Sequence, residues 1–227
     1  MKFKGTIIGE ASGSFASLTF SHNRGGQYVR QRAVPVNPGT VEQQANRNSI
    51  AELTSRWQEV LTQAQRDAWT TYSDNVPIRD SLGEPRAVGG LPMYCRSNVP
   101  RLQTGLPRVD DAPTIFDLGA FTTPSIDSVT PPTGLDIAFD NTDDWANEDD
   151  SAMIILASRP QSPAINFFKG PYRLSGFIAG NAITPPTSPA TLVLPFPVAT
   201  GTQLFIQGRV SRADGRLSSP FRLGSTV

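Results

Sequence analysis

The spacing of apolar residues changes along the chain, and between residues 41 and 105 it indicates helices. In this stretch apolar side chains recur at three- and four-residue intervals, which places them on one face of a helix. The first stripe is Ile50, Leu53, Trp57 and Leu61, and the second is Ala64, Ala68, Trp69 and Tyr72. The pattern predicts two successive helices with a very short connection, anchored by the two tryptophans.

Two short polar motifs predict where these helices begin. Each is a T-x-x-Q capping box, and the two pairs are Thr40 with Gln43 and Thr62 with Gln65. In such a box the threonine hydroxyl accepts from the backbone amide three residues later, while the glutamine side chain accepts from the threonine amide. The first helix should therefore begin at about Val41, with Thr40 and Thr62 as structural anchors.

A third and less regular helix is expected to end at Gly105. Pro92 suits its first position, where the missing amide has no intrahelical acceptor. Pro100 lies inside the span and predicts a kink or a break. Residues 76–90, before this helix, contain several prolines and glycines and predict a loop. The apolar side of the helix is Met93, Tyr94, Cys95 and Leu102.

The residues before the helices predict strands. KFKGTIIG (2–9) and FASLTFS (15–21) indicate two strands, and QYVRQRAV (27–34) indicates the return strand of a hairpin. Residues 22–26 are predicted to form the turn, because their two glycines allow positive φ. The residues that share one face of the return strand are Tyr28, Arg30 and Arg32.

From Pro113 onward the chain consists of short strand candidates separated by turn clusters. They read TIFDL, SIDSV, GLDIAF, AMIILAS, YRLSGFIAG, ATLVL, TQLFIQGRVS and FRL. About seven strands at this spacing are typical of a β-sandwich of the immunoglobulin or fibronectin type III kind. The expected fold is therefore α+β and mostly β, with an N-terminal hairpin, two to three short helices and a C-terminal sandwich.

Charge supports a division of the chain into two domains. The 227 residues carry 20 basic and 20 acidic side chains, yet residues 1–109 have a net charge of +5 and residues 110–227 a net charge of −5. We therefore expect residues 1–109 to form a docking part and residues 110–227 the sandwich. The opposed charges also favour head-to-tail contacts between copies.

Catalytic chemistry is not expected. Nucleophilic catalysis generally needs a base beside the nucleophile, and the chain has one histidine, His22, in a predicted turn. The single cysteine, Cys95, excludes an intrachain disulfide and a cysteine-rich metal site, and its helical position indicates core packing. We expect no enzyme activity and no cofactor.

The N-terminal segment lacks the apolar run of a secretory signal, no membrane span is expected, and the protein should be made in a reducing cytoplasm.

The acidic run DNTDDWANEDD, residues 140–150, is a weak candidate for a cation site. Its carboxylates could supply oxygen ligands, but an EF-hand loop that began at Asp140 would place Trp145 where glycine is needed and Ser151 where glutamate is needed. A solvated loop is the favoured interpretation, and no metal site is predicted. The candidate ligands would be Asp140, Asp143, Asp144 and Asp149.

A basic N-terminal stretch is the candidate surface for a partner. The residues concerned are Arg24, Tyr28, Arg30, Arg32 and Arg47. A helix pair follows them, so nucleic-acid binding is an alternative. However, the second helix, QAQRDAWTTYSDN, carries one arginine and two aspartates and offers a poor surface to a phosphate backbone. Nucleic acid is therefore an unlikely partner, and a protein partner is favoured.

Three segments together resemble a family of uncharacterised proteins encoded by tailed bacteriophages and prophages. They are GGQYVRQRAVPVNPGTVEQQANR, RWQEVLTQAQRDAWTTYSDN and GGLPMYCRSNVPRLQTGLP, within about residues 13–108; Pro100 departs from the family pattern. The matching positions are Gly25, Gly26, Tyr28, Val29, Arg30, Asn37, Pro38, Thr40, Trp57, Leu61, Thr62, Gln65, Arg66, Ala68, Trp69, Gly89, Gly90, Tyr94 and Asn98.

The resemblance implies a non-enzymatic virion structural protein. The favoured role is a capsid decoration, or cement, protein that binds the shell through its N-terminal half and is present in many copies or as a homo-oligomer. The partners would be the major capsid protein or tail proteins, and the protein would be found in the virion after synthesis in the host cytoplasm. A tail, neck or baseplate accessory protein is the first alternative, and a nucleic-acid-binding protein is another.

A carbohydrate-binding sandwich that adheres to host surfaces is a further alternative. It would need aromatic side chains exposed as a platform. The visible aromatics interleave with apolar residues, which predicts core positions instead. They are Phe167, Phe168, Tyr172 and Phe177.

Overall fold

A computed structural model describes residues 12–23, 26–79 and 83–227. By its internal contacts the chain divides into two compact units, residues 1–44 and 45–227. The strand predicted at residues 2–9 and the side chain of Arg24 lie outside the described residues. We call residues 12–44, as far as they are described, the N-terminal unit.

The N-terminal unit contains a three-stranded antiparallel sheet in the order β1-β2-β3. The strands are β1 (Gly13–Phe15), β2 (Leu18–Asn23) and β3 (Gly26–Gln31). The predicted turn over residues 22–26 is too long, because His22 pairs with Gln27 and Asn23 pairs with Gly26 within the ladder. Both strands therefore extend into the segment that was predicted to be a turn from its glycines.

The three predicted helices are present as α1 (Val41–Glu59), α2 (Gln63–Asn75) and α3 (Gly90–Thr104). Both capping boxes form: the amide of Gln43 donates to the Thr40 hydroxyl over 3.3 Å, and the Thr62 box is closed in both directions. The predictions of helix starts from these local motifs are confirmed.

The expected break in the third helix is wrong. α3 continues through Pro100 and ends at Gly105, whose φ of +75° is readily adopted by glycine. Pro100 lacks only the one amide that would bind the Arg96 carbonyl, and the last turn still forms. Pro92 is the third residue of the helix, where a missing amide has no intrahelical acceptor.

The helices bury a common set of side chains, which we call the helical cluster. Its fully buried members are Leu53, Leu61, Trp69, Tyr72, Met93 and Tyr94, with Trp57 and Cys95 partly buried against them. Three predicted inward positions, Ile50, Ala64 and Ala68, are exposed. The two alanines lie off the face marked by Trp69 and Tyr72, because each residue turns the helix by about 100°.

The segment predicted as a loop between α2 and α3 contains a small two-stranded ladder. It consists of β4 (Ile78–Arg79) and β5 (Pro85–Arg86), which pair antiparallel. The rest of its described residues connect the two helices.

Seven strands follow, in close agreement with the predicted number. They are β6 (Ser125–Thr130), β7 (Gly134–Ala138), β8 (Ala152–Ala157), β9 (Arg173–Ala179), β10 (Ala190–Val193), β11 (Gln203–Ser211) and β12 (Phe221–Thr226). The predicted strand TIFDL, residues 114–118, is wrong. Phe116 instead stacks on Tyr72 of α2, and the Asp117 carbonyl accepts a hydrogen bond from Arg216, so the segment connects helices and strands.

The strands form two antiparallel sheets around one core. The sheet orders are β10-β7-β6 and β12-β11-β8-β9. The core combines Leu135 and Ile137 of the first sheet with Met153, Ile155 and other residues of the second. We call this set the strand core. The fold is thus mixed α and β, mostly β, with three helices and four antiparallel sheets among the described residues.

Arg101 joins the helices to the strands. Its side chain is completely buried on α3, and its guanidinium donates to the Pro107 carbonyl over 2.7 Å and to the Arg212 carbonyl over 2.6 Å. A third bond reaches the Ser211 hydroxyl at the end of β11. The helices and the strands β6–β12 belong to one compact unit that begins at residue 45. The charge pattern, in contrast, suggests a boundary at residue 109.

Candidate functional site

The motif residues of the helices converge on Asp110, which sequence reasoning missed. The Asp110 carboxylate accepts three hydrogen bonds from Arg56 of α1, at 2.8, 3.1 and 2.5 Å, and one from the Tyr94 hydroxyl of α3 at 3.0 Å. Its carbonyl accepts from the indole of Trp69 of α2 at 2.9 Å. One residue after the predicted boundary thus connects all three helices.

The electrostatics of this group are those of a structural ion pair. The hydrogen bond from Arg56, helped by that from Tyr94, holds the pKa of the Asp110 carboxyl below its usual value. Burial, followed by the hydrogen bond to Asp110, raises the pKa of Tyr94 well above its usual value. The carboxylate is therefore ionised and the phenol is protonated near neutral pH, which suits a fixed donor–acceptor network.

The glycine pair at the start of α3 has a packing role. Gly89 has a φ of +87°, and a Cβ at Gly90 would lie 2.6 Å from the Thr70 hydroxyl and 2.9 Å from the Trp57 ring. Asn98 is buried, accepts from the Val109 amide at 2.7 Å and donates to the Val109 carbonyl at 2.9 Å. These residues and the Asp110 network hold the segment after α3 against the helices.

The acidic run is a loop between β7 and β8 in which most residues are exposed, but part of it packs against the rest of the unit. Asp143 is buried and accepts from the amide of Thr122, and Asp144 accepts from the amide of Ala120. Trp145, within the same run, is a member of the strand core. Sequence reasoning missed this position because charged neighbours surround the tryptophan.

The other candidate ligands of this run also bind protein groups. Asp140 accepts from the amide and hydroxyl of Thr142, and Asp149 accepts from the amide of Ala182. Within residues 12–23, 26–79 and 83–227, no group of three or more His, Cys, Asp or Glu side chains is arranged to hold a metal ion.

The two residues considered for catalysis lie in different units. His22 is exposed near the end of β2. Cys95 is half-buried on α3 against the helical cluster, and burial raises the pKa of its thiol. A raised pKa keeps the sulfur protonated and lowers its reactivity as a nucleophile.

The predicted partner-binding residues belong to both units. Tyr28 and Arg30 are on β3, opposite Ser21 and Thr19 of β2, and the period of two places them on one face. Tyr28 is half-buried and Arg30 is exposed. Arg32 follows the strand and is exposed, and Arg47 is exposed on α1.

The N-terminal unit also exposes large apolar side chains. Phe15 is 77% exposed, Val34 is 74% exposed and Val36 is 88% exposed. None of the described residues of this unit is buried. The unit therefore has a hydrogen-bonded sheet and an extended segment without a core of its own among the described residues.

The aromatics after β8 are at the surface, so the prediction that they occupy the core is wrong. Phe167 and Phe177 are exposed, and Phe168 and Tyr172 are half-buried. Phe168 stacks on Phe205 with ring centres 5.9 Å apart, and the Arg222 guanidinium lies 5.5 Å from the centre of the Phe167 ring. We call Phe167, Phe168, Tyr172, Phe205 and Arg222 the aromatic cleft. It surrounds a cavity of about 350 Å³ that Asn166, Gln203 and Leu223 also line.

Comparison of the chain with protein-family models, with characterised proteins and with solved structures found no significant match. Among the described residues, no helix is long and apolar enough to cross a membrane.

Proposed function

We propose that this protein is a non-enzymatic structural protein of a tailed-bacteriophage virion, and that it decorates the capsid shell through its N-terminal unit. The observation that carries the proposal is that this unit buries none of its described residues while it exposes Phe15, Val34 and Val36. The virion assignment is supported by the resemblance of the chain's motifs to those of phage proteins.

A sheet as small as that of the N-terminal unit needs a covered apolar face to be stable. Three strands reach independent stability only when they bury such a face or pack on a helix. Burying one large aliphatic or aromatic side chain contributes about 1.5–3 kcal/mol, so covering Phe15, Val34 and Val36 on a shell subunit would stabilise both unit and contact. In the register of the sheet Phe15 shares a face with Leu18 and Gln31, so that face would contact the shell, and Arg30 would lie on the opposite face.

We also propose that β6–β12 form a sandwich of the immunoglobulin or fibronectin type III kind. Two sheets share one core, and the first, second and fifth strands of the seven occupy one sheet. In the constant-type immunoglobulin fold the fourth strand joins that sheet. Here the fourth strand, β9, pairs with β8 in the other sheet. A compact module of this type suits a protein present in many copies.

A binding experiment with purified shells tests the docking role. The triple variant Phe15→Ser/Val34→Ser/Val36→Ser should bind shells at least tenfold more weakly than the unaltered protein. Ile183→Ser is the matched control, because Ile183 is as exposed as Val36, 88%, but lies in the other unit. Equal binding by the triple variant and the control would contradict the proposal.

Copy number in purified particles distinguishes the shell from the tail. A decoration protein is expected at a stoichiometry comparable with the shell subunit, and a tail, neck or baseplate protein at a few to some tens of copies. Quantitative mass spectrometry measures this ratio, and absence from particles would overturn the virion assignment. Duplex-DNA binding that weakens steeply with salt would favour the nucleic-acid alternative.

The aromatic cleft favours glycan binding as a second candidate function. Sugar rings pack their apolar faces on aromatic side chains, and Asn166, Gln203 and Arg222 offer hydrogen-bond donors around Phe167 and Phe168. A glycan array should then detect binding that Phe167→Ala abolishes and Phe116→Ala preserves. Phe116 is a suitable control because it is also exposed but stacks on Tyr72, away from the cleft.

A further inference from the structure

A cavity of about 460 Å³ lies between α2, α3 and the C-terminal strands, outside the surfaces considered above. Its volume is within the range of small-molecule sites. Its lining includes three arginines, Arg79, Arg96 and Arg209, and no aspartate or glutamate is among the lining residues within the described part of the chain. Its remaining lining residues include Tyr72, Val76, Met93, Ser97, Leu217 and Ser219.

Two of these arginines lack the partners that other arginines of the same unit have. Arg56, Arg212 and Arg216 each pair with a carboxylate. Arg96 and Arg209 are half-buried, and neither guanidinium makes a hydrogen bond or an ion pair with any residue in the described part of the chain. Two half-buried guanidinium groups in one cavity therefore have no counter-charge from the described residues.

The electrostatics agree with this geometry. Burial lowers the pKa of Arg96, and burial together with the charge of Arg96 lowers the pKa of Arg209. Burial raises the pKa of Tyr72 to about 12, so its hydroxyl remains a hydrogen-bond donor at neutral pH. The shifts of the two arginines agree with half-buried guanidinium groups that lie near each other.

We propose that this cavity binds the oxyanion group, a carboxylate or a phosphate, of a small ligand whose apolar part packs against Val76, Met93 and Leu217. The planar guanidinium matches the oxygens of either group with two parallel hydrogen bonds. An anion between Arg96 and Arg209 offsets their mutual repulsion and the loss of their hydration. This site is independent of the proposed virion function, because its lining residues belong to residues 45–227 and not to the N-terminal unit.

Thermal unfolding of the full chain with four anions tests the proposal and distinguishes the two sources of the oxyanion. The probes are inorganic phosphate, phenyl phosphate, acetate and benzoate, each compared with sodium chloride at equal ionic strength. We expect at least one probe to raise Tm saturably by about 2–4 °C, because a ligand that binds the folded state stabilises it by mass action. The apolar member of the effective pair should bind more tightly than its small counterpart.

Charge-removing variants locate the effect. Arg96→Gln and Arg209→Gln should weaken the effective anion at least tenfold in calorimetric titration. Arg32→Gln is the matched control, because it removes an exposed positive charge from the N-terminal unit and should leave the affinity unchanged.

Stability without added anion gives a second readout. Arg209→Gln should be at least as stable as the unaltered protein in chloride, since it removes a like charge from the cavity. The proposal is overturned if no probe raises Tm beyond chloride. It is equally overturned if Arg209→Gln lowers Tm in chloride and leaves the anion response intact, because the arginine would then be a structural residue.

Discussion

The N-terminal unit and the helical cluster contain similar apolar residues, but the burial of these residues is opposite in the two regions. The helical cluster buries Trp69 and Tyr94 completely. The N-terminal unit leaves Phe15 and Val36 exposed and buries none of its described residues. Both regions have regular, hydrogen-bonded secondary structure, so backbone order does not require a core. The difference indicates which region is stabilised by its own packing, and under the proposed function the other region would be stabilised by a partner.

The side-chain hydrogen bonds of the two regions also differ, in the distance along the chain between the residues that they join. In the helical cluster, Asp110 accepts from Arg56, Tyr94 and Trp69, which ties three helices to one residue. In the N-terminal unit a hydrogen bond between the hydroxyls of Ser14 and Thr19 joins neighbouring strands at the surface. Contacts between distant parts of the chain therefore stabilise the helices, whereas local ones order the sheet.

The largest expected effect comes from the buried indole. Trp69→Ala should lower the free energy of unfolding by about 3–5 kcal/mol, because it empties a fully buried aromatic position and removes the bond to the Asp110 carbonyl. Trp57→Ala should cost less, since Trp57 is only partly buried. Urea unfolding measures both values, and equal costs would contradict the assignment of Trp69 as the main anchor.

The next effect concerns the carboxylate that joins the helices. Asp110→Asn should cost about 2 kcal/mol at pH 7, because Arg56 loses its ionic partner. The pKa of Asp110 is lower in the folded state than in the unfolded chain, so its contribution is complete above about pH 4, near the unfolded value, and is lost as pH falls further. The difference in stability between the two proteins should therefore shrink toward acid pH. A difference that is constant from pH 7 to pH 2 would contradict this role.

The two capping threonines give a smaller and more local comparison. Thr62→Ala should lower global stability by about 1 kcal/mol, because α2 packs its buried face in the helical cluster. Thr40→Ala should mainly increase amide hydrogen exchange in the first turns of α1, where the side chains of residues 41–48 are exposed. An equal loss of global stability in both variants would show that the start of α1 unfolds together with the core.

The smallest effect is expected in the N-terminal unit. Phe15→Ser, Val34→Ser and Val36→Ser should each change the free energy of unfolding of the free protein by less than about 0.5 kcal/mol, since these side chains already contact water. Chemical unfolding of each variant measures this. A loss above about 1 kcal/mol would mean that the unit is stabilised within the chain and would weaken the comparison.

Local sequence motifs predicted the positions of helices and strands better than they predicted which residues those helices and strands contact. The capping boxes at Thr40 and Thr62 located two helix starts, because a cap is made within four residues. Short strand candidates between turn clusters likewise located seven C-terminal strands. The segment 114–118 was misread, since its alternation serves contacts to Tyr72 and Arg216 and not a ladder.

The candidate sites were less predictable than the fold. Trp145 lies among acidic residues and still enters the strand core, and Phe167 lies among apolar residues and is still exposed. Composition around a residue does not state which face of the chain another segment will cover. The cavity with Arg96 and Arg209 joins residues more than 100 positions apart, so no local motif could indicate it.

The sequence by itself determined the helices, their caps, the number of C-terminal strands and the zero net charge, because each depends on neighbours within a few residues or on composition. Tertiary structure decided that Asp110 joins the helices, that Arg101 ties α3 to the strands and that the described N-terminal unit lacks a core. These features arise from contacts between distant segments, and burial is a property of the whole packed chain.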